Sequence, residues 1–533
     1  MVVPEPRGWR AAGPHVERVV RAARATWSHV ERVARAGRPH VERVVRAVAA
    51  RATELTPLRL SAGAAACGLV LAVLAVTVAG PWDSTGQRTA ERDRAAARDR
   101  EGGTDHGHDS GASSGAAQGA PKPAPSAPSV LAGLGGSGSA PAADALADLL
   151  DPLLDDDALG ARRTAVVVDA ATGKVLYGKG ADDALIPAST TKIATAAAAL
   201  SAAGADHRIE TRAVLADDAD GAAEVVLVGG GDPTLTARED AAGHASLREL
   251  ADETAAALRE RHLDEVTLTY DTSLYQGPRL HSIGQNPNLA PVTALMVDEA
   301  RLDDSTSGPA DRGTDPEKDA ARRFGDLLED RGLKVRSPRP GTADKDADTL
   351  GSVSSPPLSA LVERMLTNSD NDIAEALARQ TALASGEPAS FEGAGRAIRA
   401  ELEELGLPLK GVRVADGSGL SRDGRLTADL LTALLAEAAA PDRPGLRSVL
   451  TGLPIAGFTG TLSSRYADET SATGLVRAKT GTLTGVNTLA GTVVDADGRL
   501  LAFAYLANRT TDPTAAQHTL DRAASALARC GCR

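Results

Sequence analysis

Three short patterns in this chain could do chemistry together. Ser189-Thr190-Thr191-Lys192 sets a hydroxyl and an amine three residues apart. Ser369-Asp370-Asn371 sets a hydroxyl and a carboxamide two apart, and Lys479-Thr480-Gly481-Thr482 sets an amine beside two hydroxyls. A serine hydroxyl is a weak nucleophile until an adjacent base takes its proton. A lysine among apolar residues can be that base, because burial lowers its pKa. Positions three apart on a helix share a face, so the Ser189 hydroxyl and the Lys192 amine meet if this stretch is helical. A helix N-terminus adds positive potential where the alkoxide forms. Each pattern also has a plainer reading. Ser189 could be an N-cap beside a solvated lysine, and Ser369 to Asn371 could be a capping box between two helices.

The surrounding stretches predict the elements that position these groups. After Lys192 an Ala-rich run continues without Gly or Pro to Gly204, which predicts a helix from near Ser189 to a glycine cap. Ser369 and Asn371 fall in a loop between predicted helices at Pro357–Leu366 and Asp372–Ala384. Leu475–Thr482 reads as a strand, followed by strands at Val486–Val494 and Leu500–Ala507 and a helix from Asp512-Pro513 to about Arg529. Gly481 would allow a ligand to approach the strand edge. Upstream, Asp144–Leu150 predicts a short helix ending at Pro152, and Thr164–Asp169 with Lys174–Tyr177 predicts a hairpin.

Between the first two patterns lie a strand at Glu224–Val228, a helix at Leu247–Arg261, a strand at Glu265–Tyr270 and a further helix ending near Asp330. Gly229-Gly230-Gly231-Asp232-Pro233 lacks the lysine of a phosphate loop and the spacing of a dinucleotide site, so a tight turn is expected there. Asp303–Pro316 reads as a surface loop.

Composition and charge bound the function class. The chain has 533 residues, 42% apolar but only 2% aromatic, so its core must be built from Ala, Val and Leu. The net charge is −13 and unevenly spread: residues 1–60 carry 12 Arg against 5 Glu, a surplus of +7, which leaves −20 for the rest. That balance argues against nucleic-acid binding by the bulk of the chain. In residues 1–59 the octapeptide starting at His15 recurs at His40 and, with Ala34 for a valine, at His29. This basic amphipathic repeat suits either a helix lying on an anionic membrane surface or a plain source of cytoplasmic positive charge. Its three histidines have no ligand cluster beside them, so no metal site is expected.

Residues 60–82 contain no charged side chain, and arginines precede them while none follows closely, which predicts a transmembrane signal anchor with its N-terminus inside. Residues 83–141 are rich in Gly, Ser, Pro and Ala and read as a disordered tether. Cys67 lies in the apolar segment. Cys530-Gly531-Cys532 closes the chain, and since a bridge across one residue is strained, a free or labile pair is expected.

The three patterns, in this order and each in the context its chemistry wants, resemble the penicillin-recognising serine enzymes. Gly229–Pro233, Asp416-Gly417-Ser418-Gly419-Leu420-Ser421 and Gly460-Thr461-Leu462 narrow the resemblance to the D-alanyl-D-alanine carboxypeptidase/endopeptidase family of low-molecular-mass penicillin-binding proteins. The similarity covers roughly residues 142–529. It implies an α+β, penicillin-binding-protein/β-lactamase-like transpeptidase fold: a five-stranded antiparallel sheet with helices plus an all-helical lobe.

It also implies roles. Ser189 would be the nucleophile and Lys192 its base, Ser369 would relay a proton to the leaving amine, and Lys479 would polarise the relay. Asn371 would hold the substrate amide. Thr480 and Thr482, with Gly481 between them, would receive the terminal carboxylate, and the N–H groups of Ser189 and Thr482 would form an oxyanion hole. No metal or cofactor is required. The implied partners are peptidoglycan stem peptides ending in D-Ala-D-Ala, with β-lactams as inhibitors.

Ser189 and Ser369 are 180 residues apart, too far for a compact β-lactamase. The expectation is therefore a peptidase domain of residues 142–207 and 356–533, split by one inserted α/β domain at 208–355. A β-lactamase of the same superfamily would need an acidic residue placed to activate water. A membrane-anchored sensor of wall fragments or antibiotic would acylate without turnover.

Overall fold

The computed structural model of the chain describes residues 141–217, 223–469 and 471–531, all within one compact unit. The readings for residues 1–140, including the repeat, the anchor and nearly all of the tether, lie outside the described residues. Among the described residues no helix is long and apolar enough to cross a membrane.

In chain order the elements are α1 Ala143–Leu154, β1 Arg162–Asp169, β2 Val175–Lys179, α2 Thr191–Ala203, β3 Glu210–Asp217 and β4 Ala223–Val228. Next come α3 Leu247–Glu260, β5 Glu265–Asp271, α4 Pro316–Glu329, β6 Lys334–Pro340 and β7 Asp348–Ser354. The chain continues through α5 Leu358–Asn368, α6 Asn371–Ala384, α7 Phe391–Glu404, α8 Ala428–Ala439 and the single turn α9 Arg447–Thr451. It ends with β8 Val476–Leu483, β9 Val486–Val494, β10 Leu500–Asn508 and α10 Pro513–Arg529.

The first sheet has the order β2-β1-β10-β9-β8, antiparallel throughout. Its strands alternate sides with period two. Val166 and Val168 of β1 join Ala502, Ala504 and Leu506 of β10 in a core shared with α2, α5, α6, α7 and α8. Ala165 and Val167 join Phe503 and Tyr505 in a second core under α1 and α10. Both faces are covered, so these strands read as unbroken apolar runs. β8 closes one edge of the sheet, and the N-terminal half of its outer edge bonds to the segment at Pro454 to Ala456.

α2 shows how an alanine-rich sequence builds a central helix. All ten residues from Thr191 to Leu200 are buried. Small side chains on every face let α6, α7 and α5 pack closely around it. The helix stops at Gly204, whose φ of 89° a Cβ-bearing residue would resist. α1 departs from expectation by running through Pro152 to Leu154. Leu146, Leu150 and Leu154 recur every fourth residue and are all buried against the second core, which holds the last turn despite the missing N–H.

The second sheet, β6-β5-β4-β3-β7, occupies the chain between α2 and α5. β4, β5 and β6 are parallel, joined through α3 and α4, while β3 and β7 run antiparallel to their neighbours. α3 and α4 bring Leu250, Ala251, Phe324 and Leu328 onto Leu227, Val266 and Leu268 in a third core. The glycine triplet after β4 is irregular chain rather than the expected tight turn, which follows at Pro233 and Thr234; a Cβ on Gly230 would lie 1.9 Å from the Glu210 carbonyl oxygen. The Asp303–Pro316 stretch is exposed over residues 303–304 and 306–309, but Ala310 and Arg312 turn inward and are buried. At the C-terminus Cys530 is buried and disulfide-bonded, so of the expected free or labile pair the free alternative is corrected.

Candidate active site

Ser189 sits on a single 3-10 turn, Ala188–Thr190, immediately before α2. Ala188 adopts a φ of 48°, unusual for a residue with a Cβ, and this turns Ser189 toward the edge of the sheet. Thr190 Oγ1 and Thr488 Oγ1 both donate to the Pro187 carbonyl, at 2.7 and 2.9 Å, which ties the turn to β9. Lys192 follows in the first turn of α2, with its Nζ 3.1 Å from Ser189 Oγ. The same Nζ donates to Asn371 Oδ1 and to the Ser418 carbonyl, both at 2.7 Å.

Lys192 is wholly buried. Burial pulls its pKa down to about 8, against the upward pull of Asp416, Asp370, Glu375 and Asp372. The Ser418 carbonyl that holds it belongs to a rigid loop. Asp416 accepts the N–H groups of Gly419 and Ser421, at 2.9 and 2.7 Å, and Glu375 accepts that of Ser418 at 2.9 Å. His281 Nε2 lies 3.0 Å from Asp416 Oδ2, with Nδ1 accepting the Ile283 N–H, so the proton is on Nε2.

Ser369 is the left-handed C-cap of α5 at φ 58°, and Asn371 is the first residue of α6. The cap itself is Asp370, whose side chain accepts the Ile373 N–H. The capping and functional readings of this stretch therefore coexist, because the capping residue is the middle one. Lys479 Nζ donates to Ser369 Oγ at 2.9 Å and to the Thr480 carbonyl at 2.8 Å. Burial and the nearby charge of Lys192 hold Lys479 well below the ordinary lysine range. Gly481 makes room for the protein itself rather than only for a ligand. A Cβ there would lie 2.1 Å from Thr488 Oγ1, 2.8 Å from the Pro187 carbonyl oxygen and 3.1 Å from Ser189 N.

These side chains line one cavity of about 400 Å³, bounded by Ser189, Ser369, Asn371, Thr480 and Thr482, with Thr461, Arg465 and Gln517 at the Thr482 end. Lys192 and Lys479 do not line it but bond to the two serines that do.

The remaining wall comes from the segment between β5 and α4, which the sequence did not mark. Asn371 Nδ2 donates to the Asn288 carbonyl at 2.9 Å, and the Ala290 N–H donates to Asp372 Oδ1 at 2.9 Å. Asp372 is ion-paired to Arg312 at 2.8 Å, and Arg312 also donates to the Glu299 carbonyl at 2.5 Å. Glu299 in turn pairs with Arg301 at 2.8 Å. Burial, with Asp370 and Asp372 nearby, pushes the Glu299 carboxyl up to about 8. Glu299, Asp370 and Asp372 bring their oxygens within 4.8 Å of one another, as do the ligand atoms of His281, Glu375 and Asp416. Arg301 and Arg312 occupy the first group, and backbone N–H groups the second, so neither offers a vacant set of metal ligands.

A half-buried serine beside a wholly buried lysine, a Ser-x-Asn loop and a Lys-Thr-Gly edge strand on an α+β scaffold define a serine acyl-transfer enzyme of the penicillin-recognising class. The profile of the D-Ala-D-Ala carboxypeptidase 3 (S13) family matches residues 146–314 and 303–529, and the chain belongs to that family. It is 36% identical over 425 residues to a carboxypeptidase of Mycobacterium tuberculosis, covering 77% of this chain and 90% of that protein. It is 38% identical over 387 residues to carboxypeptidase DacB of Mycolicibacterium smegmatis, covering 69% and 81%. The crystal structure of penicillin binding protein 4 from Haemophilus influenzae superposes with a TM-score of 0.57 at 21% identity. It covers 70% of this chain and 98% of that one and shows the same fold. The chain is thus a serine-type D-Ala-D-Ala carboxypeptidase with a penicillin-binding-protein fold.

Proposed function

We propose that Ser189 attacks the carbonyl of the penultimate D-alanine in a peptidoglycan stem peptide ending in D-Ala-D-Ala. Lys192 takes the hydroxyl proton as the Oγ–C bond forms. A base with a pKa of about 8 leaves roughly a tenth of the lysine neutral at pH 7. The oxyanion is received by the N–H groups of Ser189 and Thr482. The C–N bond then breaks, and the departing amine takes a proton through Ser369, whose hydroxyl is hydrogen-bonded to Lys479. Asn371 receives the substrate amide, and Thr480 and Thr482 the terminal carboxylate. Water hydrolyses the acyl-enzyme.

The observation that carries this reading is Lys192 Nζ, wholly buried and 3.1 Å from Ser189 Oγ. Cleaving a cross-link differs only in the leaving amine, so endopeptidase action falls within the same chemistry. A β-lactam would form the same ester, and a solved complex of the Haemophilus protein with a β-lactam supports that inhibitor class. Rapid hydrolysis of the β-lactam ester, as a β-lactamase would need, is disfavoured. The cavity carboxylates Asp370 and Asp372 are engaged by the Ile373 N–H and by Arg312, which leaves neither placed as a water-activating base.

The charge pattern of residues 1–82 supports an anchored enzyme, with the apolar stretch 60–82 in the membrane, the N-terminus in the cytoplasm and the catalytic domain outside. Residues 208–355 read as one inserted domain whose inner segment braces Asn371. The test is to incubate the purified protein with a D-Ala-D-Ala peptide and assay free D-alanine. Release that is lost in Ser189→Ala supports the reading. Stable penicillin labelling with no D-alanine released would favour a sensor.

A further inference from the structure

The Thr482 end of the cavity holds a cation that the mechanism above does not use. Arg465 follows the Gly460-Thr461-Leu462 turn and lines the cavity together with Thr461, Thr480, Thr482 and Gln517. Its guanidinium is fixed from behind by α10. Nε donates to Asp521 Oδ2 at 2.9 Å, and Nη2 donates to Asp521 Oδ1 at 2.6 Å and to the Gln517 carbonyl at 3.3 Å. That fork uses two of the three nitrogens. Nη1 makes no hydrogen bond among the described residues, and the side chain, 14% exposed, stands at the cavity wall. One turn before Asp521 on α10, Gln517 Nε2 donates to Thr482 Oγ1 at 3.4 Å.

A substrate carboxylate at this end needs a cation and hydroxyl donors together. The amine nearest in sequence, Lys479, is wholly buried, is engaged by Ser369 Oγ and the Thr480 carbonyl, and is held well below the ordinary lysine range. Two of its donors are therefore already engaged by the protein. An arginine is always charged, and a guanidinium already clamped on one edge loses little freedom when its other edge binds.

We propose that Arg465 is a carboxylate-recognition residue of this enzyme: its free Nη1 receives the terminal carboxylate beside Thr480 and Thr482, with Asp521 and Gln517 positioning it. The proposal rests on the peptidase reading and adds to it a specificity determinant for substrates that end in a free carboxylate.

The test uses two thioesters with the same N-acyl-D-alanyl group, one leaving as thioglycolate with its free carboxylate and the other as the neutral thioglycolamide. Activation by sulfur keeps the neutral partner measurable. Both rates come from one sample, so their ratio does not depend on the folded fraction. In Arg465→Gln the ratio of kcat/KM for the carboxylate substrate over the neutral one falls about 10- to 100-fold, the scale of one charge-assisted hydrogen bond. The loss appears mainly in KM, while the neutral thioester changes less than about twofold.

Because Arg465→Gln leaves Asp521 buried without its partner, the paired Arg465→Gln, Asp521→Asn variant serves as the second measurement and loses the same ratio. Arg465→Lys recovers part of it. An unchanged ratio in these variants, whether both rates fall together or neither falls, would overturn the proposal and leave Arg465 a packing anchor for α10. Failure of the unsubstituted protein to turn over either thioester would contradict the peptidase reading itself.

Discussion

Asn371 Oδ1 accepts a hydrogen bond from Lys192 Nζ at 2.7 Å, and the other end of the same carboxamide donates to the Asn288 carbonyl at 2.9 Å. The Lys192 amine, the proposed base, is therefore oriented through one amide whose flip state is set by the segment between β5 and α4. Asn371→Asp keeps the shape but replaces the donor with a second oxygen facing a carbonyl, and places a negative charge beside the amine. That charge favours the ammonium, so the lysine pKa rises and less free base remains at neutral pH. Acylation by penicillin at pH 7 falls about a hundredfold or more, and the rising limb of its pH profile moves upward. A variant with the original profile would separate Asn371 from Lys192 in function.

The pH dependence of the unsubstituted enzyme follows from the same lysine. In the proposed mechanism the reactive form is neutral Lys192, whose pKa is drawn down to about 8 because burial opposes the charge. Acylation therefore climbs about tenfold per pH unit below 8 and levels off above it. Stopped-flow acylation across pH 5.5 to 9.5 checks this. A flat profile down to about pH 6 would mean a different base.

Gly481→Ala tests the contact between the edge strand and the nucleophile turn. The added methyl would meet Thr488 Oγ1 and the Pro187 carbonyl, at 2.1 and 2.8 Å, forcing the Ser189 turn off β8. A displacement of about 1 Å at the reacting atoms costs on the order of a hundredfold in rate. The expected result is that loss in acylation, with the thermal midpoint falling by only a few degrees.

Buried and exposed ion pairs should separate cleanly. Arg312→Ala leaves Asp372 uncompensated where both partners are about 2% exposed, and is expected to cost about 3–5 kcal/mol. Arg396→Ala breaks a pair at 56% and 34% exposure and should cost under about 1 kcal/mol. Urea titrations of both variants give the comparison. Equal, small losses would show that the Arg312 cluster does not brace the Ser369–Asn371 loop.

How much was legible beforehand depended on where the signal lay. The strands Val476–Leu483, Val486–Val494 and Leu500–Asn508 are apolar runs between clear turns, and they were read with boundaries within a residue or so. β6 was not seen. Its sequence, Lys334 to Pro340, holds two prolines and no buried residue, because it is a sheet edge held by backbone bonds to β5. The side-chain pairs Ser189–Lys192 and Ser369–Asn371 announce themselves by spacing. The groups that hold them are the carbonyls of Ser418 and Asn288, which any residue type can supply. Arg312 was hidden for another reason: it sits in a stretch rich in Gly, Asp and Pro, and only the folded chain turns it inward.

The most direct measurement of the central claim is the mass of the protein after brief exposure to benzylpenicillin, followed by mapping of the modified peptide. One adduct per chain, on the peptide containing Ser189, absent in Ser189→Ala and formed far more slowly in Lys192→Ala, is the result expected. An adduct on Ser369, or undiminished labelling of Ser189→Ala, would contradict the account.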